Sequence, residues 1–384
     1  MSRALVNYGA DEKMKGQWIG TYAGSSNGNI IVNIDERESN YEGVAFVNES
    51  DAGRPRSAAF FSTPNKNATS TFRTSSIQPT DSVTGFFTRW EDIKARYPSD
   101  MTFSQYADVT ASVEADSLKL SWVTDLGVTG DCVLPRSKAG EPSELDAIQS
   151  DWGSYKRLVA DMKGRRLLFR GQNKLWRLRT SFHRTGRADL SRFLREDIPA
   201  LHRHLSARMR HVFNLQNPDE NGAFFNLVQH HGYPTPLLDW TYSPYVAAFF
   251  AYRRITNEKA ALAGPDEKVR IHVFDQERWK RDFNQLLMVV APVPHVSIAE
   301  FIAIENERLI PQQAATLLTS VDDIESYIKS MESADKDYLR AIDLPVRERK
   351  QVISELSRMG ITAGSLFPGL DGACEELTER NFQI

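Results

Sequence analysis

The chain has 384 residues, with 47 Lys plus Arg, 50 Asp plus Glu and a formal net charge of −3. Hydrophobic residues make up 41% and charged residues 25%. These values are ordinary for a folded globular protein, and they exclude a collagen-like, low-complexity or globally disordered chain. A chain of this length is expected to form about two or three domains.

The chain start and the cysteines indicate a soluble protein of a reducing cytoplasm. The first residues contain no apolar stretch long enough for a signal peptide. The most apolar later run, Leu286–Val293, is far shorter than the ~20 residues that span a bilayer. The two cysteines, Cys132 and Cys374, have no CxxC spacing, so a disulfide framework or a cysteine zinc site is not expected.

The small net charge results from cancellation between segments. Residues 1–150 sum to −6, residues 156–211 to +12 and residues 212–384 to −8. The basic segment is either a solvated helix face or an anion site, because Arg forks suit phosphate geometry. All eight histidines lie between His183 and His295, which argues against histidine chemistry in the first half.

The first part of the chain is predicted to be an antiparallel β-barrel or sandwich. Asn29–Asp35 and Ser117–Trp122 alternate apolar and polar residues, and Asn27-Gly28 is a tight-turn signal. The one helix expected there is short, around Trp90–Tyr97. A polar segment with two prolines, residues 135–146, reads as a linker. We therefore predict a β-rich sensor or regulatory domain over residues 1–140.

Beyond the linker the pattern becomes mixed α/β, so the predicted fold class is α+β, with a second domain over residues 150–384. The elements expected there, in chain order, are a strand at 165–169, a helix at 189–213 restarting at Pro199, a helix at 223–231 ended by Gly232, a helix begun by Ser243 and Pro244, a strand at 269–274, a helix capped by Ser297 and Glu300, a strand at 309–319, a helix from Pro345 to Gly360, and a strand at 361–367.

Two common motifs are weak here. Gly24–Gly28 matches G-x-S-x-G, but a strand follows it where a nucleophile elbow needs a helix, so a hairpin turn is favoured. His230 and His231 are adjacent, so their side chains diverge on a helix. A metal site there would need partners such as Asp239, and hydrogen-bonded structural or substrate-contacting roles are favoured over metal binding.

A more specific signature lies in the second half. Leu168-Phe169-Arg170-Gly171-Gln172 is followed by Trp176, Leu178 and Thr180-Ser181-Phe182. Then come the block QHHGYPTPLLDWT (residues 229–241), the run SPYVAAFFA, and SLFPGLDG at residues 365–372. In this order and spacing, the blocks resemble the FRG-domain family over roughly residues 150–380.

The resemblance implies a bacterial effector connected with phage defence or toxicity. A weaker resemblance is to ADP-ribosyltransferases, in which an Arg ends the first strand, a Ser/Thr motif precedes an Ala- and Phe-rich helix, and a later strand supplies a Glu. Arg170 matches the first element, and Asp239-Trp240-Thr241 the second. The third element corresponds to residues 306–313, where Gln312 and Gln313 stand in place of the Glu and are followed by Ala314 and Thr316.

If this likeness holds, NAD is the expected substrate, for ADP-ribose transfer or NAD hydrolysis. A cation would bind the pyrophosphate, an aromatic ring would stack on nicotinamide, and a carboxylate would stabilise an oxocarbenium-like transition state. The expected catalytic residues are Arg170, Asp239, Thr241, Glu307 and Gln313, with Glu305 as another carboxylate. The expected NAD-binding residues are Arg170, Gly171, Gln172, His231, Tyr233 and Trp240.

Other interpretations stay open. Arg170 and Asp239 are alternatively a buried ion pair of the scaffold, with Trp240 a core residue. The basic segment at residues 156–211 favours a nucleic-acid-binding protein or nuclease as an alternative. A third possibility is a non-catalytic sensor whose β domain recognises a ligand or a phage-derived trigger. The expected partners are a nucleotide and a macromolecular target, and no membrane.

Overall fold

The computed structural model of the chain describes residues 13–162 and 167–382 and contains two compact units. The first comprises the described residues up to Lys138, together with Phe182–His202 and Met288–His295. The second comprises the rest, in the ranges Ala139–Ser181, Arg203–Leu287 and Val296 onward. The first unit is therefore built from three stretches of chain, two of which come from the region predicted to be the second domain.

An antiparallel nine-stranded sheet forms the first unit. Its strands are β1 Gly16–Gly24, β2 Gly28–Glu36, β3 Tyr41–Glu49, β4 Arg56–Ser62, β5 Thr69–Arg73, β6 Ser76–Thr80, β7 Ala107–Glu114, β8 Ser117–Thr124 and β9 Thr129–Pro135, in the order β5-β7-β8-β9-β1-β2-β3-β4-β6. The two edge strands, β5 and β6, are consecutive in the chain. At their junction Thr74 N bonds to Ala107 O on one side (2.9 Å) and Ser75 N to Phe60 O on the other (2.8 Å). The sheet therefore curls towards a barrel.

The two faces of this curled sheet have different partners. Ile30, Val32 and Ile34 alternate along β2 and pack on the inner face. Ile31 points outward and packs in a second cluster with Val44, Phe46 and Ala58, against which Val290 lies. The stretch Met288–His295 thus contributes to the covering of the outer face.

The stretch Phe182–His202 is attached to the same unit through Asp35. The carboxylate of Asp35 is fully buried and accepts hydrogen bonds from Ala188 N (2.8 Å) and Asp189 N (3.1 Å). It also pairs with the guanidinium groups of Arg187 (2.8 Å) and Arg192 (3.1 Å). A buried carboxylate is stable only when partners of this kind replace its water.

A mixed seven-stranded sheet forms the second unit. Its strands are β10 Ala147–Gln149, β11 Leu167–Gln172, β12 Leu237–Thr241, β13 Lys268–Asp275, β14 Val296–Ala299, β15 Ala314–Thr319 and β16 Leu339–Pro345, in the order β10-β16-β13-β11-β12-β15-β14. Only β10 and β16 run parallel among these neighbours. One face carries a core cluster with Phe169, and the other a cluster with Leu168 and Trp240.

The α-helices are α1 Trp90–Ile93, α2 Trp152–Asp161, α3 Leu190–Arg192, α4 Ile198–Ser206, α5 Pro218–His230, α6 Pro244–Tyr252, α7 Asn257–Leu262, α8 Gln276–Asp282, α9 Ile324–Ser330, α10 Arg349–Arg358, α11 Ala363–Leu366 and α12 Leu370–Phe382. Short 3-10 turns lie at Lys94–Arg96, His183–Thr185 and Val346–Glu348, and a π-helical turn at Phe193–Asp197 joins α3 to α4.

Several local predictions are confirmed, including the α+β class. Ser243 caps α6, accepting from Val246 N at 3.2 Å, and Pro244 is the first helical residue. Gly232 follows α5 with φ +88°, a conformation that favours glycine. The strand predicted at 165–169 is β11, of which residues 165 and 166 lie outside the described ranges.

Four local predictions need correction. The strand predicted at 309–319 begins only at Ala314, after a turn over residues 309–313. The helix predicted from Ser297 and Glu300 is wrong, because Val296–Ala299 pairs with β15 as an edge strand. The strand predicted at 361–367 is also wrong, because Thr362 and Ser365 form a reciprocal capping box that begins α11. The helix predicted at 189–213 ends at Ser206 and includes the π-helical turn.

Candidate functional site

The seven-stranded sheet divides at its centre, between β11 and β12. Strand β11 pairs with β13 along its whole length, from Leu167 to Gln172. With β12 it shares, in the described part of the chain, only the pair Phe169–Thr241, beyond which the two strands diverge. Arg170 bridges this gap, because its Nη1 donates a hydrogen bond to the main-chain carbonyl of Asp239.

The side chains of Arg170 and Asp239 approach the gap from different faces. Side chains alternate along a strand, and Leu168 and Trp240 pack in the same cluster. Arg170 therefore shares the face of Leu168 and Trp240, whereas Asp239 lies on the opposite face. The hydrogen bond from Arg170 to the second motif is accordingly made with the main chain of Asp239, so Arg170 positions β12 relative to β11.

The glycine after Arg170 is required by helix packing. A Cβ atom on Gly171 would lie 1.9 Å from Ala247 O and 2.7 Å from Ala251 N, both main-chain atoms of α6. Helix α6 therefore rests directly on β11 at this residue. The role in NAD binding that the sequence suggested for Gly171 stays a prediction.

Two residues of the Asp-Trp-Thr motif also have structural contacts. The hydroxyl of Thr241 is buried, donates to Gln312 O (2.7 Å) and accepts from Ser243 N (3.0 Å). It thereby connects the end of β12 to the start of α6 and to the segment before β15. The ring of Trp240 is 3% exposed and lies 5.7 Å from that of Phe274. These contacts match the core interpretation of Trp240.

A group of polar side chains surrounds Asp239, and we call Gln229, His230, Asp239, Asn306 and Arg308 the polar centre. Gln229, near the end of α5, donates to Asp239 Oδ1 and in turn accepts from the Thr235 hydroxyl. Asn306 donates to His230 Nδ1 at 2.6 Å, and Arg308 Nη1 donates to His230 O at 2.8 Å. The centre thus holds a carboxylate, an imidazole and a guanidinium on the face opposite Trp240.

His230 is held as a neutral imidazole. Burial lowers its pKa, the Asp239 carboxylate acts in the opposite direction, and the Arg308 guanidinium lowers the pKa further. Because Nδ1 accepts from Asn306, the hydrogen-bond pattern assigns the single ring proton to Nε2. At neutral pH His230 therefore offers an N–H donor and no positive charge.

The third sequence block contributes Phe367, which orders two arginines. The guanidinium carbon of Arg308 lies 5.4 Å from the centroid of the Phe367 ring, and that of Arg253 lies 3.9 Å away. Arg253 is also paired with Glu375 of α12. The Leu366 carbonyl accepts from Gln312 Nε2 at 2.9 Å, which joins the same block to the segment before β15.

Residues 165–260 match the family model of the FRG domain. The chain carries an FRG domain. No curated protein and no solved structure gives a significant match to it. The comparisons therefore give no support for the resemblance to ADP-ribosyltransferases, which stays a prediction.

Four other predicted site residues are not members of the polar centre. His231, Glu307 and Gln313 are exposed, and Tyr233 is half-buried. Gln313 has φ +46° and accepts from Tyr242 N at 2.9 Å, so its main chain borders β12.

Two further side chains are used in local contacts. Gln172 donates to Trp176 O at 3.1 Å. The Glu305 carboxylate accepts from His211 N, which ties the segment before Asn306 to the segment before α5. Sequence reasoning missed Gln229, Asn306 and Arg308. All three lie inside sequence blocks of the FRG-like or transferase-like pattern (residues 229–241 and 306–313), which was the one available signal.

Several arginines of the basic segment are neutralised by ion pairs. In the second unit Arg177 pairs with Asp323 (3.3 Å) and Arg179 with Asp322. In the first unit Asp35 receives the arginines described above. Other cationic residues of the segment are exposed, among them Arg203, Arg208 and Arg210. The +12 sum is therefore not one continuous charged surface.

The described residues lack two kinds of feature. None of their helices is long and apolar enough to cross a membrane. Nor do they contain a group of three or more His, Cys, Asp or Glu side chains arranged to hold a metal ion.

Proposed function

We propose that the FRG domain binds NAD at the polar centre and breaks its bond between nicotinamide and ribose, releasing ADP-ribose or transferring it to a target. The observation that carries the proposal is the Asp239 carboxylate, oriented by Gln229 beside the gap between β11 and β12. Of the carboxylates predicted from the sequence, Glu307 is exposed and Glu305 is engaged with a main-chain amide. Asp239 is the half-buried one of the three.

The reaction needs no oxidant or metal ion. The C1′–N bond breaks with its electron pair moving to the pyridinium nitrogen, so nicotinamide leaves as a neutral molecule. Water or an acceptor side chain then forms a bond to C1′ and gives up a proton. An adjacent carboxylate stabilises the positive charge that develops on the ribose, and its effect is large because it is already oriented.

Charge determines the other roles in this proposal. The pyrophosphate needs a cation, and Arg308 lies on the same face as Asp239 and is restrained by Phe367. His230 donates from Nε2 without adding charge. Arg170, on the other face, holds the main chain of Asp239 and acts as a positioning residue, although the sequence suggested that it binds the pyrophosphate directly.

The test is nicotinamide release by the full chain. The Asp239→Asn variant keeps the acceptor oxygen for Gln229 and removes the charge, so release is expected to fall by about 100-fold or more. The exposed Asp266→Asn serves as the matched control and is expected to behave like the wild type. Arg308→Ala is expected to raise the KM for NAD, whereas Arg170→Ala is expected to lower thermal stability as well as activity.

Two results would contradict the proposal. One is the absence of both nicotinamide release and NAD binding, measured by calorimetry, in the wild-type chain. The other is loss of activity in Glu307→Gln with full activity in Asp239→Asn, which would move the carboxylate role to the exposed segment. Expression of wild-type and Asp239→Asn chains in bacteria challenged with phage tests the defence role, which requires protection by the wild type alone.

A nucleic-acid-binding function is the alternative, and one observation favours it. Arg203, Arg208 and Arg210 expose cationic side chains at and beyond the end of α4. Phosphate contacts make affinity fall steeply with salt, so binding of labelled DNA or RNA should weaken as salt is raised and in the Arg208→Glu variant. Absence of binding at low salt would exclude this alternative.

A further inference from the structure

The nine-stranded sheet encloses a cavity of about 210 Å³ that its side chains do not fill. Folded interiors leave few voids larger than a water molecule. An apolar cavity of about 150 Å³ already accommodates benzene. The space inside this sheet is therefore large enough for a ring-sized organic molecule.

The walls of the cavity are mostly apolar and rich in aromatic rings. Phe61, Phe72 and Trp122 line it, together with Ile30 and Val32 of β2. Small residues stand where larger ones would fill the space, notably Ala45 and Ala59 on neighbouring strands. The inward-facing side chains thus line the sheet but leave a space open at its centre.

Among the cavity-lining residues that belong to the strands, one is charged. Glu49, the last residue of β3, lines the cavity, and its Oε2 is buried without a hydrogen-bond partner in the described part of the chain. The Tyr22 hydroxyl, which is within hydrogen-bond distance of Ser26 (3.4 Å), has a raised pKa, caused first by burial and increased further by the nearby Glu49 carboxylate. Arg54, which also contributes to the lining, is exposed, and its Nε lies 3.9 Å from the Asp51 carboxylate.

We propose that this cavity binds a small, mostly apolar molecule carrying one cationic amine, with the ring among the aromatic walls and the ammonium group on Glu49. A buried carboxylate oxygen without a partner is costly, and an ammonium group removes that cost. Aromatic faces attract the same cation. This site is independent of the polar centre and of the function proposed for it.

The experiment uses the full chain and three compounds with the same ring: phenethylamine, ethylbenzene and phenylacetate. Binding is measured by calorimetry and by ligand-observed NMR. Phenethylamine is expected to bind about tenfold or more tightly than ethylbenzene, the difference that a hydrogen bond to a charged group provides. Glu49→Gln is expected to remove this preference while leaving ethylbenzene binding unchanged.

Filling the cavity tests the location of the site. Ala45→Leu is expected to abolish binding of both the amine and the hydrocarbon, whereas the same substitution at exposed Ala23 should leave binding intact. Ser57→Val adds less volume to the same wall and serves if Ala45→Leu does not fold. The proposal is overturned if no compound binds, if the filled variants bind normally, or if phenylacetate binds best, which would assign recognition to Arg54.

Discussion

Replacing Gly171 by alanine tests why the FRG motif contains a glycine. The added Cβ would lie 1.9 Å from Ala247 O and 2.7 Å from Ala251 N, well inside contact distance. Both atoms belong to the main chain of α6, so no side-chain rotation relieves the overlap. Overpacking of a core costs about 1–3 kcal/mol and occasionally more, and a main-chain overlap of this size should reach at least the upper end, about 3 kcal/mol.

The assay is urea and thermal unfolding of the Gly171→Ala chain, followed by far-UV circular dichroism. A loss of about 3 kcal/mol corresponds to a melting temperature lower by about 6–12 °C for a unit of this size. The control is Gly264→Ala, where a Cβ would meet nothing within 4 Å, and its stability is expected to match the wild type. A Gly171→Ala chain with unchanged stability would refute the packing argument and favour a ligand-contacting role for the glycine.

Substitutions at three further residues test separate parts of the structure. Thr241→Val should lower the free energy of unfolding by about 1–3 kcal/mol, because it removes a buried hydroxyl that is hydrogen-bonded to Gln312 O and Ser243 N. Thr241→Ser keeps the hydroxyl and should retain most of the stability, as measured by thermal unfolding. Asp35→Asn removes the buried carboxylate that Arg187 and Arg192 share, so that they keep only their more exposed partners Asp197 and Glu196. The free energy of unfolding should therefore fall by about 3 kcal/mol. Equal stability with the exposed control Asp100→Asn would contradict this. Burial raises the pKa of Asp189 to about 6 in the folded protein, against about 3.9 in the unfolded chain. The folded state therefore binds this proton more tightly, and the free energy of unfolding should fall by about 3 kcal/mol as pH rises from about 4 to about 6. Asp189→Asn, which still caps the following helix, should remove that fall in urea titrations, and an unchanged pH profile would show that Asp189 does not titrate in this window.

Local signals in the sequence predicted the elements whose causes are themselves local. The alternation along Asn29–Asp35 identified β2, and Ser243 with Pro244 located the start of α6. The errors arose where tertiary pairing decides the outcome. Ser297 and Glu300 have the spacing of a capping box, but pairing with β15 makes the segment a strand. No local pattern specifies which distant strand is available for pairing.

The sequence predicted where the candidate site lies better than it predicted the role of each site residue. The blocks containing Arg170 and Asp239 do meet in space, as their order along the chain suggested. Which face each side chain occupies depends on strand register and could not be derived from the motifs alone. Arg308 was missed because its importance comes from Phe367, which follows it by many residues in the chain. Dividing the charge by segment likewise could not show that Asp35 neutralises two of the arginines.

The attachment of Phe182–His202 to the first unit has a practical consequence for dissecting this protein. The residues that match the FRG family model, 165–260, include a stretch that folds with the nine-stranded sheet. A fragment beginning near residue 150 would carry Arg187 and Arg192 without Asp35. The residues that match the family model therefore do not coincide with one compact unit of the structure. Inactivity of such a fragment would report lost folding, so regulation by the first unit is better studied with point variants in the intact chain.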